Sequence, residues 1–505
     1  MMTDAMKPLG LSLWQLTTPR RMHEAGGRLF VDVAPDLATP AGRARLLALA
    51  KSDPLIRDAL QTVLDRGDFV GSFPDERPDA APAPAPAPIE TDPGVVTELI
   101  EHSRSSVATL RREIETVSGP ALLDFILADI AELKRILFGP RSRQAIMAGM
   151  DATSWLNEHL EAWLGEKNAA GALIQSVPHN ITSEMGLALL DVADTIRPHA
   201  EVVAFLQRIV DAGREDDDFL GELAGLPGGQ VARDAILSYL DDYGMRCAGE
   251  IDITRTRWSE RPATLLPTIL GNIRNFESGT GTRRFAQGLE ESQQKAQELL
   301  TRLRAQPDGE RKAEQTELMI DRVRTFAGYR EYPKYGMVSR YFAYKQALLR
   351  EAERLVRTGT LSEKEDIYYL RLDELDEVVR ANDVDWDPME LIRDRRAAFR
   401  SHQALTPPRV LTSDGEAISG EYRRADVPPG ALAGLPVSAG IVEGRARVAT
   451  DMAQAGLDSG DILVTPYTDP SWTPLFLTAA GLVTEVGGLM THGAVIARNT
   501  AYRAS

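Results

Sequence analysis

Residues Pro120–Phe138 read PALLDFILADIAELKRILF and carry a clear helical repeat. Proline is well placed in the first turn of a helix, where an N–H group would have no partner, and Gly139-Pro140 provides a stop. Apolar side chains recur at three- and four-residue spacings, at Leu122, Leu123, Phe125, Ile126, Ile130, Leu133 and Leu137. The pattern predicts an amphipathic helix that packs one face into a core.

The same periodicity extends along much of the chain and predicts a large helical domain. It recurs in four further segments, Ala188–Ile196, Phe285–Leu303, Glu317–Phe326 and Phe342–Val356. A short strand is predicted at Asp366–Arg371. We expect a mainly α fold, with residues 1–78 as the start of a helical substrate-binding domain and residues 95–425 as its remainder.

Alternating alanine and proline mark a boundary at Asp79–Gly94, which reads DAAPAPAPAPIETDPG. Proline has no backbone N–H to donate, so this composition favours an extended, polyproline-like conformation. We predict an exposed linker or loop at residues 79–94, with no chemistry of its own.

The composition excludes several classes of function. The 505 residues carry a formal charge of −17, with lysine and arginine dispersed among acids, so a nucleic-acid partner is not expected. No apolar run reaches the roughly 18 residues of a membrane span. Met1–Gly10 lacks the basic flank and apolar run of a signal peptide, so we expect no membrane partner. Cys247, the single cysteine, excludes an internal disulfide and a multi-thiolate metal site, which fits a cytoplasmic protein.

The composition changes after Pro428-Pro429-Gly430, where short β-prone runs replace long amphipathic ones. Residues 445–448 (RARV) alternate like a half-buried strand, whereas Asp461–Thr465 (DILVT) and Gly481–Thr484 (GLVT) are typical of buried strands. A helix within Pro470–Ala480 would complete a βαβ-like unit. We predict a small α/β domain at residues 426–505.

The segment Thr484–Arg498 reads TEVGGLMTHGAVIAR and holds the strongest candidate for chemistry. Two glycines permit a tight turn after the strand, and Thr491 is a good N-cap for a helix that would begin at His492. Backbone N–H groups and the helix dipole at such a position favour a phosphoryl group on the imidazole, which is a competent nucleophile near neutral pH. The alternative is a capping histidine without chemistry.

This segment resembles the phosphohistidine motif of phosphoenolpyruvate-utilising enzymes, in which Thr-x-x-Gly-Gly precedes Ser/Thr-His and an Ala-Ile-x-Ala-Arg-like helix start. The resemblance implies a small swivelling domain in which His492 carries the phosphoryl group. It also implies a supporting shell around that histidine, formed by Thr484, Gly487, Gly488, Thr491 and Arg498. Upstream, Asp469–Trp472 (DPSW) matches the Asp-Pro-x-Trp of the same enzymes, and packing would explain the tryptophan equally well.

Within that family the chain resembles the antibiotic-inactivating rifampin phosphotransferases nearly from end to end. The matching segments are Thr3–Leu16 (TDAMKPLGLSLWQL), Ala25–Val33 (AGGRLFVDV), Ser52–Ile56 (SDPLI), Val63–Phe69 (VLDRGDF), Tyr243–Trp258 (YGMRCAGEIDITRTRW) and Tyr329–Gly336 (YREYPKYG). The resemblance implies that the helical domain binds a rifamycin antibiotic. It also implies that a phosphoryl group, originally from ATP, passes through the histidine to a hydroxyl of the drug.

The same resemblance makes Arg330 and Lys334 the basic pair that faces the transferring phosphoryl group. A spacing of four would put both on one helical face, where paired cations stabilise developing phosphoryl charge. Pro333 fits such a helix only in its first turn or at a kink. The alternative is an exposed, solvated pair.

A second charged segment, Tyr243–Trp258, sets ionisable residues among apolar ones. They are Arg246, Glu250, Asp252, Arg255 and Arg257. Two interpretations stay open: a phosphate or substrate contact, or a buried ion-pair network that supports the wall of a pocket.

Both ends of the chain depart from the family pattern. The complete enzymes include an N-terminal ATP-binding domain, and no GxxxxGK[ST] loop occurs in this chain. We therefore expect no cofactor in this chain, with ATP and Mg²⁺ belonging to an ATP-binding domain supplied in cis or in trans, and no activity from the chain alone. After Arg498 the chain reads NTAYRAS, whereas a one-base shift in one permissible coding sequence restores the family's Glu-Tyr-Gly-Leu-Pro-Gly. We expect a frameshift that truncates the phosphohistidine domain.

Two other functions stay open. A phosphoryl carrier similar to phosphoenolpyruvate synthase would use pyruvate as its acceptor, although that enzyme is expected to need a further substrate domain. A non-catalytic remnant would bind the rifamycin through its helical domain and transfer nothing.

Overall fold

The computed structural model describes residues 4–50, 53–67, 89–214, 218–380, 385–420, 434–435, 437, 441–450, 452, 455–486 and 493. The fold is mainly α with a small α/β region towards the C-terminus, as the sequence predicts. Within the described ranges, no helix has both the length and the apolar character needed to cross a membrane.

The N-terminal part of the chain combines short helices with a β-hairpin. The hairpin pairs β1 (Met22–Ala25) with β2 (Arg28–Val31) in antiparallel register, Met22 opposite Val31. Its turn is Gly26-Gly27, whose φ angles of 55° and 69° suit glycine. The helices are α1 (Pro8–Thr17), α2 (Ala34–Leu37), α3 (Pro40–Leu49) and α4 (Pro54–Arg66).

Helices of the central part follow one another with short connections. They are α5 (Pro93–Ile114), α6 (Pro120–Phe138), α7 (Pro140–Leu164), α8 (Ala169–Leu173), α9 (Ile181–Ile196), α10 (Ala200–Asp211), α11 (Phe219–Ala224), α12 (Gly229–Tyr243), α13 (Leu266–Asn275), α14 (Thr280–Arg304), α15 (Gly309–Phe326), α16 (Tyr332–Arg357), α17 (Leu372–Arg380) and α18 (Pro388–Gln403). Short 3₁₀ helices lie at Trp258–Glu260, Pro262–Leu265, Gly328–Glu331 and Lys364–Tyr369.

The helices predicted from periodicity are confirmed. α6 has the predicted bounds and buries one face, with Leu122, Ile126, Ile130 and Leu133 among its buried side chains. The other four segments lie within α9, α14, α15 and α16. α5 begins at Pro93, inside the predicted linker, because the Asp92 carboxylate accepts the Gly94 amide and caps the helix. Residues 68–88 lie outside the described part of the chain.

The predicted strand at Asp366–Arg371 is wrong, since most of this segment belongs to the 3₁₀ helix Lys364–Tyr369. The cause is Asp366, whose Oδ2 accepts the backbone amides of Ser362 at 3.0 Å and Glu363 at 2.9 Å. These bonds close a turn at the start of the segment. Apolar residues here are buried by packing against α16 rather than by a sheet.

Three clusters of buried side chains form the helical core. α16 runs through one of them and packs against α1, α6 and α17. α7, α8, α14 and α15 form a second cluster. The third joins α9, α10, α12 and α13 to apolar residues of the C-terminal region, among them Leu463, Trp472 and Phe476. The described C-terminal region therefore packs directly on the helical part.

The C-terminal region contains a parallel sheet of β5 (Ala446–Val448), β6 (Ile462–Thr465) and β7 (Gly481–Thr484), in that order. A 3₁₀ helix (Pro470–Trp472) and α19 (Thr473–Phe476) connect the last two strands, so the predicted βαβ-like unit is confirmed. A separate antiparallel pair joins β3 (Val410–Leu411) to β4 (Ala417–Ile418).

Burial of the sheet differs from the prediction of buried strands. Leu463 is fully buried against the helical part, whereas Val448 and Val483 are 77% and 54% exposed. The register places Val448 beside Val464 and Val464 beside Val483, so the three valines share one face. Side chains alternate across a sheet, and in the described part of the chain the helices cover only the opposite face.

Candidate active site

The structure places the predicted basic pair at the start of α16. Arg330 lies in the 3₁₀ helix Gly328–Glu331, and Lys334 lies in the first turn of α16 directly after Pro333. Proline there removes no intrahelical hydrogen bond, so it is compatible with Lys334 on a helix. The four-residue spacing crosses from a 3₁₀ turn into an α-helix, so it is not the single α-helical face that was predicted. The side chains are 28% and 30% exposed, which is half-buried rather than fully solvated.

Lys334 contacts a buried carboxylate that it shares with an arginine. Its Nζ lies 2.9 Å from Glu250 Oε1, and Arg246 Nη1 donates to the same oxygen at 2.7 Å. Burial alone would raise the pKa of Glu250, but the charges of Arg246 and Lys334 lower it to about 2. Glu250 is therefore ionised at neutral pH, and two cations share one carboxylate.

The rest of the Tyr243–Trp258 segment forms a buried polar network. Arg257 is fully buried and donates to the backbone oxygens of Glu250 and Asp252, both at 2.9 Å. Arg255 reaches the N-terminal segment, where its Nη2 donates to Asp4 Oδ2 at 2.7 Å. Arg255 thus forms an ion pair with Asp4, and Arg257 supports the segment through backbone oxygens. Arg246 and Glu250 are the members of the segment nearest to Lys334.

A hydrogen bond joins this cluster to the C-terminal region through Asp469. The Gly249 amide donates to Asp469 Oδ2 at 2.6 Å, and the amide and hydroxyl of Ser471 donate to Oδ1 at 2.9 and 2.5 Å. Burial, together with the nearby charge of Glu250, raises the pKa of Asp469. Asp469 belongs to the DPSW segment that precedes the histidine motif, and Trp472 of that segment is buried in the shared core.

Tyrosine side chains lie beside Arg246 on the helical side. The Arg246 guanidinium lies 5.6 Å from the centre of the Tyr335 ring, within cation–π range. Tyr335 donates its hydroxyl to the backbone oxygen of Asp242 at 2.8 Å, and its ring is tilted against that of Tyr332. Burial raises the pKa of Tyr335 to about 12. The role of these tyrosines was not predicted, although three tyrosines at three-residue spacing within Tyr329–Gly336 were a signal for it.

The structure describes only part of the histidine motif. Thr484 ends β7, whereas Gly487, Gly488, Thr491, His492 and Arg498 lie outside the described residues. Gly493, which follows His492 in sequence, is described and buried. A Cβ on Gly493 would lie 2.4 Å from Thr468 Oγ1 and 3.0 Å from Leu482 Cδ2. Gly493 therefore lies against β7 and the loop after β6, where a larger residue would not fit without movement.

The acids of this cluster are already engaged by protein groups. Among the described residues, no three His, Cys, Asp or Glu side chains converge to hold a metal ion. Glu250 is engaged by two cations, and Asp469 accepts three protein hydrogen bonds, one from Gly249 and two from Ser471. We assign neither ATP nor Mg²⁺ to this cluster.

Two family models match the chain in regions that meet at this site. A model described as the fourth domain of rifampicin phosphotransferase matches residues 141–331, which include Arg246, Glu250 and Arg330. A model described as the mobile domain of phosphoenolpyruvate-utilising enzymes matches residues 457–502, which include Asp469 and His492.

Over nearly its whole length the chain is similar to proteins named rifampicin phosphotransferase. The chain is 66% identical over 500 residues to the rifampicin phosphotransferase of Streptomyces sviceus, and 57% identical over 503 residues to that of Bacillus subtilis. A third such protein, from Bacillus cereus, is 58% identical over 505 residues. Each comparison covers 99% of this chain and 57% of the relative, so the chain spans somewhat more than half the length of these proteins. By sequence, the chain is similar over 99% of its length to proteins of the rifampicin phosphotransferase family.

Proposed function

We propose that this chain supplies the carrier and acceptor parts of a rifamycin phosphotransferase, in which His492 carries a phosphoryl group to a hydroxyl of the antibiotic. One observation carries the proposal. Lys334 contacts Glu250, and the neighbouring Gly249 amide donates to Asp469 at 2.6 Å. The segment that precedes the histidine motif thus meets the basic side chain expected to face the phosphoryl group.

The proposal divides the chain between two tasks. Residues 1–78 and 95–425 bind the acceptor, residues 79–94 link the two parts of that domain, and residues 426–505 carry the phosphohistidine. The names of the relatives support a rifamycin as the acceptor, and the match at residues 457–502 supports a mobile carrier. Loading of the histidine is the task of an ATP-binding domain, in cis or in trans.

The transfer step balances without a further reactant. The P–N bond between the phosphoryl group and the His492 imidazole breaks, and a P–O bond to the drug hydroxyl forms. The hydroxyl proton ends on the imidazole nitrogen that the phosphorus leaves. Lys334 and Arg330 lower the barrier by stabilising charge on the phosphoryl oxygens.

A chemical donor tests this step independently of nucleotide. Phosphoramidate phosphorylates accessible imidazoles, so the chain is treated with it, desalted and mixed with a rifamycin. Mass spectrometry at neutral pH then follows phosphate on His492 and on the drug. We expect phosphate lost from the histidine to appear on the drug. His492→Ala should abolish the transfer, whereas His102→Ala, which removes an exposed histidine of α5, should leave it intact.

The other outcomes separate the alternatives. Phosphate that passes to pyruvate and not to the rifamycin would replace this proposal with the phosphoenolpyruvate synthase-like carrier. A rifamycin that binds the loaded chain but receives no phosphate would identify a binding remnant. Failure of both binding and transfer would refute the assignment of the acceptor.

A further inference from the structure

Two cations of different solvent exposure share the Glu250 carboxylate. Arg246 and Glu250 are each 1% exposed, whereas Lys334 is 30% exposed and lies at the mouth of the cluster. Arg246 Nη1 and Lys334 Nζ both contact Oε1 of Glu250. The arginine is thus enclosed, and the lysine sits on a flexible four-carbon stem with part of it open to solvent.

The buried pair has unused hydrogen-bonding capacity. Among the described residues, Glu250 Oε2 and the Nε and Nη2 atoms of Arg246 have no hydrogen-bond partner. An arginine can bind both oxygens of a carboxylate through two parallel N–H groups. Glu250 and Arg246 therefore have the groups needed for a tighter, two-bond pair, and only one of those bonds is made while Lys334 occupies the carboxylate.

The charge balance around Glu250 also allows Lys334 to leave the carboxylate. Leaving a buried carboxylate without a counter-charge is strongly unfavourable, so Lys334 could not leave Glu250 if it were the only cation there. Arg246 removes that penalty, since a one-to-one pair remains after the lysine departs. In the part of the chain that the structure describes, Arg257, which binds the Glu250 backbone oxygen, and Asp469 across the junction also lie near Glu250.

We propose that Glu250 is a positioning residue, which holds the Lys334 ammonium ready, and that Arg246 keeps the carboxylate paired when Lys334 turns to a phosphoryl group. The proposal rests on the proposed function, since the phosphoryl group is the one carried by His492. It adds two residues, remote in sequence from the histidine motif, that act through Lys334 and need not contact the substrate.

Single-turnover transfer from phosphoramidate-loaded His492 to a rifamycin tests the proposal. Glu250→Gln should lower the maximal rate about 10- to 100-fold, because Lys334 is no longer held in place. The rifamycin concentration at half-maximal rate should stay within about twofold, since drug binding is not affected. Arg246→Met should lower the rate at least as much, and Arg246→Lys, which keeps the charge, should restore most of it.

A matched control comes from the same helix. Lys345 of α16, which is buried, forms another ion pair, with its Nζ 2.5 Å from Oε2 of the half-buried Glu260. Glu260→Gln removes a carboxylate that does not contact Lys334. The transfer rate of the folded fraction of this variant should match that of the wild type. A loss as large as that of Glu250→Gln would overturn the proposal, because any ion pair on α16 would then have the same effect.

The double variant Arg246→Met/Glu250→Gln separates positioning from folding. It removes both buried charges, so its stability should recover relative to either single variant. The transfer rate should nevertheless stay about 10- to 100-fold low, because Lys334 still lacks its anchor. Recovery of the rate together with the stability would show a purely structural role and refute the proposal.

Acetylation of Lys334 gives a readout that does not depend on transfer. With acetic anhydride and peptide mass spectrometry, Lys334 should react several-fold faster in Glu250→Gln than in the wild type, relative to the exposed Lys167. An unchanged ratio would overturn the contact on which the proposal stands. If the wild type transfers no phosphate but this ratio rises, the contact holds and the proposed function has failed instead.

Discussion

Replacement of Asp469 should loosen the junction between the C-terminal region and the helical part. In Asp469→Ala the half-buried Gly249 amide loses its acceptor, now 2.6 Å away. A hydrogen bond to a charged group contributes roughly 1.5–3 kcal/mol, and the bonds to Ser471 are lost as well. Removing a half-buried carboxylate whose pKa is raised by desolvation offsets part of this loss. We expect a net cost of about 2 kcal/mol.

Amide hydrogen exchange at Gly249 measures this loss locally. A cost of about 2 kcal/mol corresponds to roughly thirtyfold faster exchange where the amide exchanges by opening of the junction. The Gly249 exchange rate of Asp469→Asn should lie between those of the wild type and Asp469→Ala. Its side chain keeps one acceptor oxygen but presents an N–H₂ group in place of the other. Urea unfolding of the same variants reports the effect on the whole chain.

The control is a carboxylate in the same region that does not reach the junction. Asp458 pairs with Arg445 on the surface, where its side chain is 53% exposed. Asp458→Asn should leave Gly249 exchange unchanged, since exposed ion pairs contribute little. If Asp469→Ala folds and its Gly249 amide exchanges within about twofold of the wild-type rate, the hydrogen bond across the junction does not hold the two parts together, and the reasoning fails.

Three further effects follow from close contacts and from charge. Gly10→Ala would place a Cβ 2.3 Å from Asp252 Oδ1, so its unfolding free energy in urea should fall by about 1–3 kcal/mol; an unchanged midpoint would contradict the packing of α1. Gly493→Ala would place a Cβ 2.4 Å from Thr468 Oγ1, so its melting temperature should fall, and Thr468→Ala in the same background should recover part of the loss. The pKa of Glu250, about 2 in the folded chain, lies below its ordinary value, so its stabilising contribution is present above about pH 4.5 and is lost as the pH falls towards 2. The difference in unfolding free energy between wild type and Glu250→Gln should therefore be constant above about pH 5 and narrow below it, and a difference that narrows as the pH rises would be the wrong sign.

Local patterns predicted much of the helical fold. α6 has the expected bounds because a proline at one end and Gly139-Pro140 at the other act within one turn of the helix. The βαβ-like unit was predictable for the same reason, since the strands differ in composition from everything before residue 426. These features depend on residues that are neighbours in sequence.

The features that were not predicted either lack a clear local pattern or depend on distant partners. The hairpin of β1 and β2 had a local signal in Gly26-Gly27, but its neighbours do not alternate clearly between apolar and polar residues. The 3₁₀ helix at Lys364–Tyr369 replaced a predicted strand because Asp366 captures backbone amides at its start. The exposure of Val483 depends on which face of the sheet meets the helices, which no strand pattern specifies.

The contacts that join the residues of the candidate site were also not predictable from local sequence. The resemblance identified Arg330 and Lys334, and the charge pattern identified Arg246 and Glu250, but nothing in the sequence connected the two sets. Their connection is the 2.9 Å contact between Lys334 and Glu250, which forms because α16 packs against the segment after α12. Asp469 was noted only as part of a family pattern, and its bond to Gly249 is again a tertiary contact.

The pKa values of the two acids of the site shift in opposite directions because their partners differ. Two cations lower the pKa of Glu250 to about 2, whereas burial and the neighbouring Glu250 charge raise the pKa of Asp469, which faces amides and a hydroxyl. The positive charge around Lys334 therefore depends on whether Asp469 is present and ionised. Since Asp469 belongs to the C-terminal region, any departure of that region would remove an acid and leave Lys334 and Arg246 less neutralised.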